Sequence, residues 1–118
     1  MIKNVIGHFG ENLACNYLKT KNYQILERNY RLGHLELDLI AKKDSQFFLF
    51  EIKTRRYYQT KSGEALISKV QTANLKKAAR LYAAKNNLNF TLIHFDLILI
   101  IADYKQGAVK LEHYQNIF

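Results

Sequence analysis

Proline and tryptophan are absent from this 118-residue chain, and it carries one cysteine, Cys15. The first two absences have no functional implication. The third is restrictive: a single thiol excludes an internal disulfide and a four-cysteine zinc site. Cys15 falls among apolar residues of a predicted helix and is expected in the core. Acidic residues are scarce, ten Asp and Glu against eighteen Lys and Arg, for a net charge of +8. A small basic domain suits a polyanion, either nucleic acid or an anionic membrane surface, although basicity also serves solubility alone. No apolar run approaches the roughly 20 residues needed to cross a bilayer. The opening MIKNVIGHFGEN lacks the apolar core of a secretory signal. These absences predict a soluble cytoplasmic protein with no membrane partner.

Hydrophobic residues make up 48% of the chain and charged residues 24%, a composition that builds a core rather than a disordered segment. Length, and the lack of repeats, linkers or low-complexity stretches, predict a single domain over 1–118. Val5, Ile6, Phe9, Leu13 and Tyr17 recur at helical spacing and predict a helix over 4–21. A narrower row, Gly7, Glu11, Ala14 and Leu18, is expected to approach another element closely. Strands are predicted over 23–30, 35–42 and 46–54. A basic, aromatic connection follows over 55–66. A second helix is predicted from Ser68, a plausible N-cap, to Lys85, with the inner row Gln71, Leu75, Ala78 and Tyr82. TLIHFDLILII, residues 91 to 101, predicts a strand covered on both faces. VKLEHY adds a last strand. The order is αβββαββ: an α/β fold with a mixed five-stranded sheet flanked by helices.

The stretch LELDLIAKKDSQFFLFEIKTR holds four charges at spacings of two inside apolar strands: Glu36, Asp38, Glu51 and Lys53. Charges seldom enter a sheet core unless paired or ligated. Strand alternation places Leu35, Leu37 and Leu39 on one face, and Glu36, Asp38 and Ile40 on the other. An even loop centred between Asp44 and Ser45 then sets Ile40 against Leu49, Asp38 against Glu51 and Glu36 against Lys53. An odd loop would separate the acids, but the even register also matches Leu37 with Ile52 and Leu39 with Phe50 on the other face. Opposed carboxylates repel, and a hard divalent cation, Mg²⁺ or Mn²⁺, removes that cost. Lys53 stands where it can meet a phosphate or stabilise developing negative charge. The bland reading is a solvated strand face with a Glu36–Lys53 salt bridge. Against it, Ile40, Phe47 and Leu49 share that face and imply that it is covered at one end.

Asp38…Glu51-Ile52-Lys53 is similar to the PD-(D/E)xK nuclease signature, a short pattern. GHFGENLACNYL, ILERNYR, ELDLIA, FEIKTR, SKVQTANLKKAARLY and HFDLILI together resemble the small YraN-like (UPF0102) bacterial proteins, in order over residues 7 to 101. The sequence departs from that pattern at His34 and at Leu35, where the family usually has glycine. The resemblance implies a restriction-endonuclease-like core related to the archaeal Holliday junction resolvases. It implies metal-dependent hydrolysis of nucleic-acid phosphodiesters, with structured or branched DNA as the substrate class. By this resemblance Glu11, Asp38 and Glu51 are the metal ligands, Lys53 is catalytic, and Glu36 is a further ligand or a partner of Lys53. Gln71 is expected to orient a metal-bound water or to be a satisfied core amide.

Arg55, Arg56, Tyr57, Tyr58 and Lys61, with Lys69 on the second helix, are expected to contact nucleic acid. Arginine and lysine grip phosphates, and tyrosine stacks on exposed bases. Asp96 is expected to have a structural, hydrogen-bonded role. None of His8, His34, His94 and His113 has zinc-like spacing, and His34 is expected to approach the site from its loop. A homodimer is plausible for a two-fold substrate. Two other functions compete: a non-catalytic nucleic-acid-binding module, and an interaction subunit of a DNA repair, recombination or uptake complex.

Overall fold

A computed structural model describes residues 2–56, 67–103 and 105–118, with the side chains of residues 2–7 left aside. Helix α1 spans Ile2–Thr20, β1 Gln24–Leu32, β2 Leu35–Lys43 and β3 Gln46–Arg56. Helix α2 spans Lys69–Lys85, and a 3₁₀ turn at Phe90–Leu92 leads into β4, Ile93–Asp103; β5 is Ala108–Tyr114. The five strands form one sheet in the order β1-β2-β3-β4-β5. Neighbours are antiparallel except β3 and β4, which are parallel. A parallel pair needs a crossover, and α2 lies within it.

The helices cover opposite faces of the sheet. Ala14, Cys15 and Leu18 of α1 pack with Leu39, Ala41, Phe50, Ile98 and Ile100. Leu75, Ala78, Tyr82 and Ala83 of α2 pack with Leu35, Leu37, Ile40, Leu49 and Phe95. Burying a Leu or Ile side chain contributes roughly 1.5–3 kcal/mol, so these two layers dominate stability. Ser68 caps α2 by accepting a hydrogen bond from the Gln71 amide at 3.1 Å.

Several expectations change. Of the broad apolar row in α1, Phe9 is 47% exposed and Leu13 and Tyr17 are half-buried, whereas Ala14 and Leu18 of the narrower row are fully buried. Close approach runs through Gly10, where a Cβ would collide with the Thr54 hydroxyl of β3. Strand β3 extends to Arg56, so Arg55 and Arg56 belong to a strand rather than a connection. Tyr57, Tyr58 and Lys61 lie outside the described residues. Leu37 and Leu39 do not share a face, because alternation in β2 breaks at Asp38.

Candidate active site

The loop between β2 and β3 sets the register. Asp44 and Ser45 both have positive φ, 51° and 64°, the backbone of a two-residue type I′ turn. Lys43 therefore pairs with Gln46, Ile40 with Leu49 and Leu39 with Phe50. That is the register read from hydrophobic matching, but the expected match of Leu37 with Ile52 is not made: the ladder stops at Leu39, and the two side chains pack in different layers. The ladder then ends one pair short of Asp38 and Glu51, yet neither strand ends. Strand β2 continues against β1 to the pair Leu35–Leu32. Strand β3 continues against β4 to the pair Arg56–Ala102. The sheet thus forks after Leu39 and Phe50, and both acids sit in the opening.

A fork leaves backbone donors without ladder partners, and a buried unpaired N–H is costly. Asp38 answers this need: its Oδ2 accepts the Ile52 amide at 3.0 Å, in the space β2 has left. Glu51 projects from β3 toward α2. It is 8% exposed, one of two buried acidic side chains among the described residues. Gln71 Nε2 of α2 donates to Glu51 Oε1 at 2.7 Å, and Lys53 Nζ approaches the same oxygen at 3.3 Å.

Electrostatics follow from burial. Desolvation is the largest cause pushing the Glu51 carboxyl up to about 7, and the charge on Asp38 adds to it; Lys53 opposes both. Desolvation also raises Asp38, helped by the charges of Glu11 and Glu36 and opposed by the Ile52 amide. Burial thus pushes both neighbouring carboxyls up, and they titrate as a pair.

The remaining expected residues are arranged differently. Glu11 acts on Asp38 through its charge, but its Oε2 accepts from Asn29 Nδ2 at 3.3 Å and lies 4.0 Å from His8 Nδ1. Among the described residues, no three His, Cys, Asp or Glu side chains gather at metal-ligand distance. Glu36 is exposed and stands opposite Arg31 of β1, not Lys53. The fork is the reason: it ends the ladder before position 36 meets position 53. Arg55 is half-buried, with Nη1 donating to the Thr54 carbonyl at 2.9 Å, and Lys69 is exposed at the first position of α2. His34 is exposed in the β1–β2 turn. Asp96 is structural: it accepts from His113 Nε2 at 2.7 Å and from the Asn116 amide at 3.0 Å. Asn29, beside Glu11 and opposite Asp38, escaped sequence reasoning. Its only signal was an asparagine inside a predicted strand, a residue type depleted there.

Residues 10–100, the stretch holding Glu11, Asn29, Asp38, Glu51, Lys53 and Gln71, match the model of the uncharacterised protein family UPF0102. A UPF0102 protein of Syntrophomonas wolfei is 40% identical over 113 residues, 96% of each chain. The chain belongs to the UPF0102 family. A UPF0102 protein of Christiangramia forsetii is 36% identical, covering 98% of this chain and 94% of its own. One of Clostridioides difficile is 37% identical, covering 95% of each. This UPF0102 chain therefore matches these relatives over nearly their full lengths. No helix among its described residues is long and apolar enough to cross a membrane.

Proposed function

We propose that this chain is a metal-dependent endonuclease with a restriction-endonuclease-like core, hydrolysing phosphodiesters in structured or branched DNA. The observation that carries this reading is the pair of neighbouring acids, buried Glu51 and half-buried Asp38, beside Lys53 in a sheet fork. Two neighbouring carboxyl groups whose charge burial disfavours form a hard, oxygen donor set. Mg²⁺ and Mn²⁺ favour such oxygen ligands. Asp38 and Glu51 would hold the ion, with Glu11 reaching it through water. When bound, it would supply Lewis-acid activation of the phosphate and of an attacking water. Gln71 holds the Glu51 carboxylate against α2. Lys53 exchanges its Glu51 contact for a phosphate oxygen or the attacking water, and so steadies charge at the reacting phosphorus. Arg55, Arg56 and Lys69 supply positive charge near the fork; Tyr57, Tyr58 and Lys61 belong to the same proposed nucleic-acid surface. A homodimer in the cytoplasm fits a two-fold junction.

The test is a titration of Mg²⁺ and Mn²⁺ against branched, single-stranded and duplex DNA. Asp38→Asn and Lys53→Ala should each lower cleavage by about 10³-fold or more while leaving the fold intact. Unchanged cleavage removes the residue concerned from the mechanism. Binding without cleavage in either metal supports a non-catalytic nucleic-acid module. Absence of salt-sensitive binding supports an interaction subunit.

A further inference from the structure

Six non-glycine residues among those described have positive φ: Asn22, Asn29, Asp44, Ser45, Asn87 and Asn116. Five lie in turns or irregular backbone. Asn29, at φ 50°, lies inside strand β1. Left-handed backbone within a strand is costly, and asparagine tolerates it better than most residues. Such a residue persists only where its surroundings demand it.

The consequence is a change of face. Residues two apart in a strand normally share one. Arg28 Nη2 reaches Asn12 Oδ1 of α1 at 2.7 Å, whereas the Tyr30 ring packs edge-on against Tyr82 of α2 at 5.5 Å. Strand β2 makes the same switch: Leu39 joins the α1 core and Leu37 the α2 core. Arg28 pairs with Leu39 and Tyr30 with Leu37. The residues between, Asn29 and Asp38, therefore stand opposite one another at the switch. Regular alternation would send Asp38 to the face of Ile40. Instead its carboxylate reaches across the fork to the Ile52 amide. The Asn29 amide, meanwhile, donates to Glu11.

We propose that Asn29 is the positioning residue of the acid fork. Its left-handed backbone frees Asp38 from alternation and turns the carboxylate toward β3. Its side-chain amide holds Glu11 at the α1 side of the opening. Neither part touches a substrate. The first part concerns the fold alone. The second rests on the metal-dependent reading above.

Two substitutions separate the parts. Asn29→Gly permits the backbone and deletes the amide; Asn29→Ala deletes the amide and disfavours the backbone. Hydrogen exchange of the Ile52 amide in metal-free protein reads the first part. Relative to Asn29→Gly, Asn29→Ala should speed it by about fivefold or more, the loss of one net hydrogen bond. Equal exchange in both variants and the natural protein overturns it. Asn29→Ser, which also disfavours the left-handed region, replaces an alanine variant that does not fold. Calorimetric titration with Mn²⁺ reads the second part: Asn29→Gly should bind about tenfold more weakly. Undiminished affinity overturns that part. Failure of the natural protein to bind Mn²⁺ overturns it together with the nuclease reading, while the Ile52 comparison still decides the first part.

Discussion

Gln71 Nε2 lies 2.7 Å from Glu51 Oε1, so α2 is tied to the acid fork by a side-chain hydrogen bond to a buried carboxyl group. The same oxygen faces Lys53. Glu51 thus receives two donors and one acidic neighbour, and its protonation sets the charge of the whole fork.

Stability should therefore depend on pH through Glu51. Its ordinary value of 4.5 rises to about 7 in the fold. Between these values the folded state keeps a proton that the unfolded chain has lost, so stability falls as pH rises through this window. The deficit persists above it. Glu51→Gln should consequently be more stable than the natural protein at pH 8 by on the order of 2–3 kcal/mol, and about equal at pH 4. Thermal melts across that range check this, and parallel curves would remove the argument. Mg²⁺ at about 100 times its Kd should return roughly 2.7 kcal/mol to the natural protein above pH 7. The gain should shrink in acid, where protons compete for the same oxygens.

Gly10→Ala sets two effects against each other. In a helix interior, alanine is favoured over glycine by about 0.8–1.0 kcal/mol. Here the added Cβ meets Thr54 Oγ1 and lies 3.6 Å from Ile100 Cγ1. Overpacking of this kind costs typically 1–3 kcal/mol, so net destabilisation is expected. Adding Thr54→Ala should recover at least half of the loss in urea denaturation. A stable single variant would mean that α1 does not rest on β3 at this point.

Asp96 is 1% exposed and joins His113 and Asn116 in a network separate from the fork. His113 donates from Nε2, which leaves Nδ1 to accept from the Tyr17 hydroxyl at 2.9 Å. Asp96→Ala strands two donors and should cost about 3 kcal/mol, loosening the segment after β5. Mn²⁺ affinity should not change. A fall in that affinity at full folding would join the two networks.

Nucleic-acid binding should weaken linearly in log–log form as salt rises. The double substitution Arg56→Ala with Lys69→Ala should reduce the slope by about 2. Fluorescence anisotropy of a labelled branched DNA measures it, and an unaltered slope would place the bound strand elsewhere.

Much of this molecule was legible in its sequence. Apolar periodicity located both helices and all five strands, because burial imposes a period on whatever it covers. Hydrophobic matching across Asp44 and Ser45 gave the β2–β3 register, since a one-residue slip would have set Leu39 and Ile40 against partners on the wrong faces. Family membership was likewise carried by local words of sequence. Alternation misled at one place. It assigned Leu37 and Leu39 to a single face and Glu36 to Lys53, because a rule of period two assumes regular backbone throughout.

Residue order by itself determined the elements, their succession and the adjacency of Asp38 and Glu51. Only the tertiary structure decided that the sheet splits, that Asp38 serves the Ile52 amide, and that Glu11 turns toward Asn29. The physical reason is that a fork arises from competition: β1 and β4 each pull a neighbouring strand away from the other. Local pattern records what each strand prefers, whereas the outcome depends on all four strands at once.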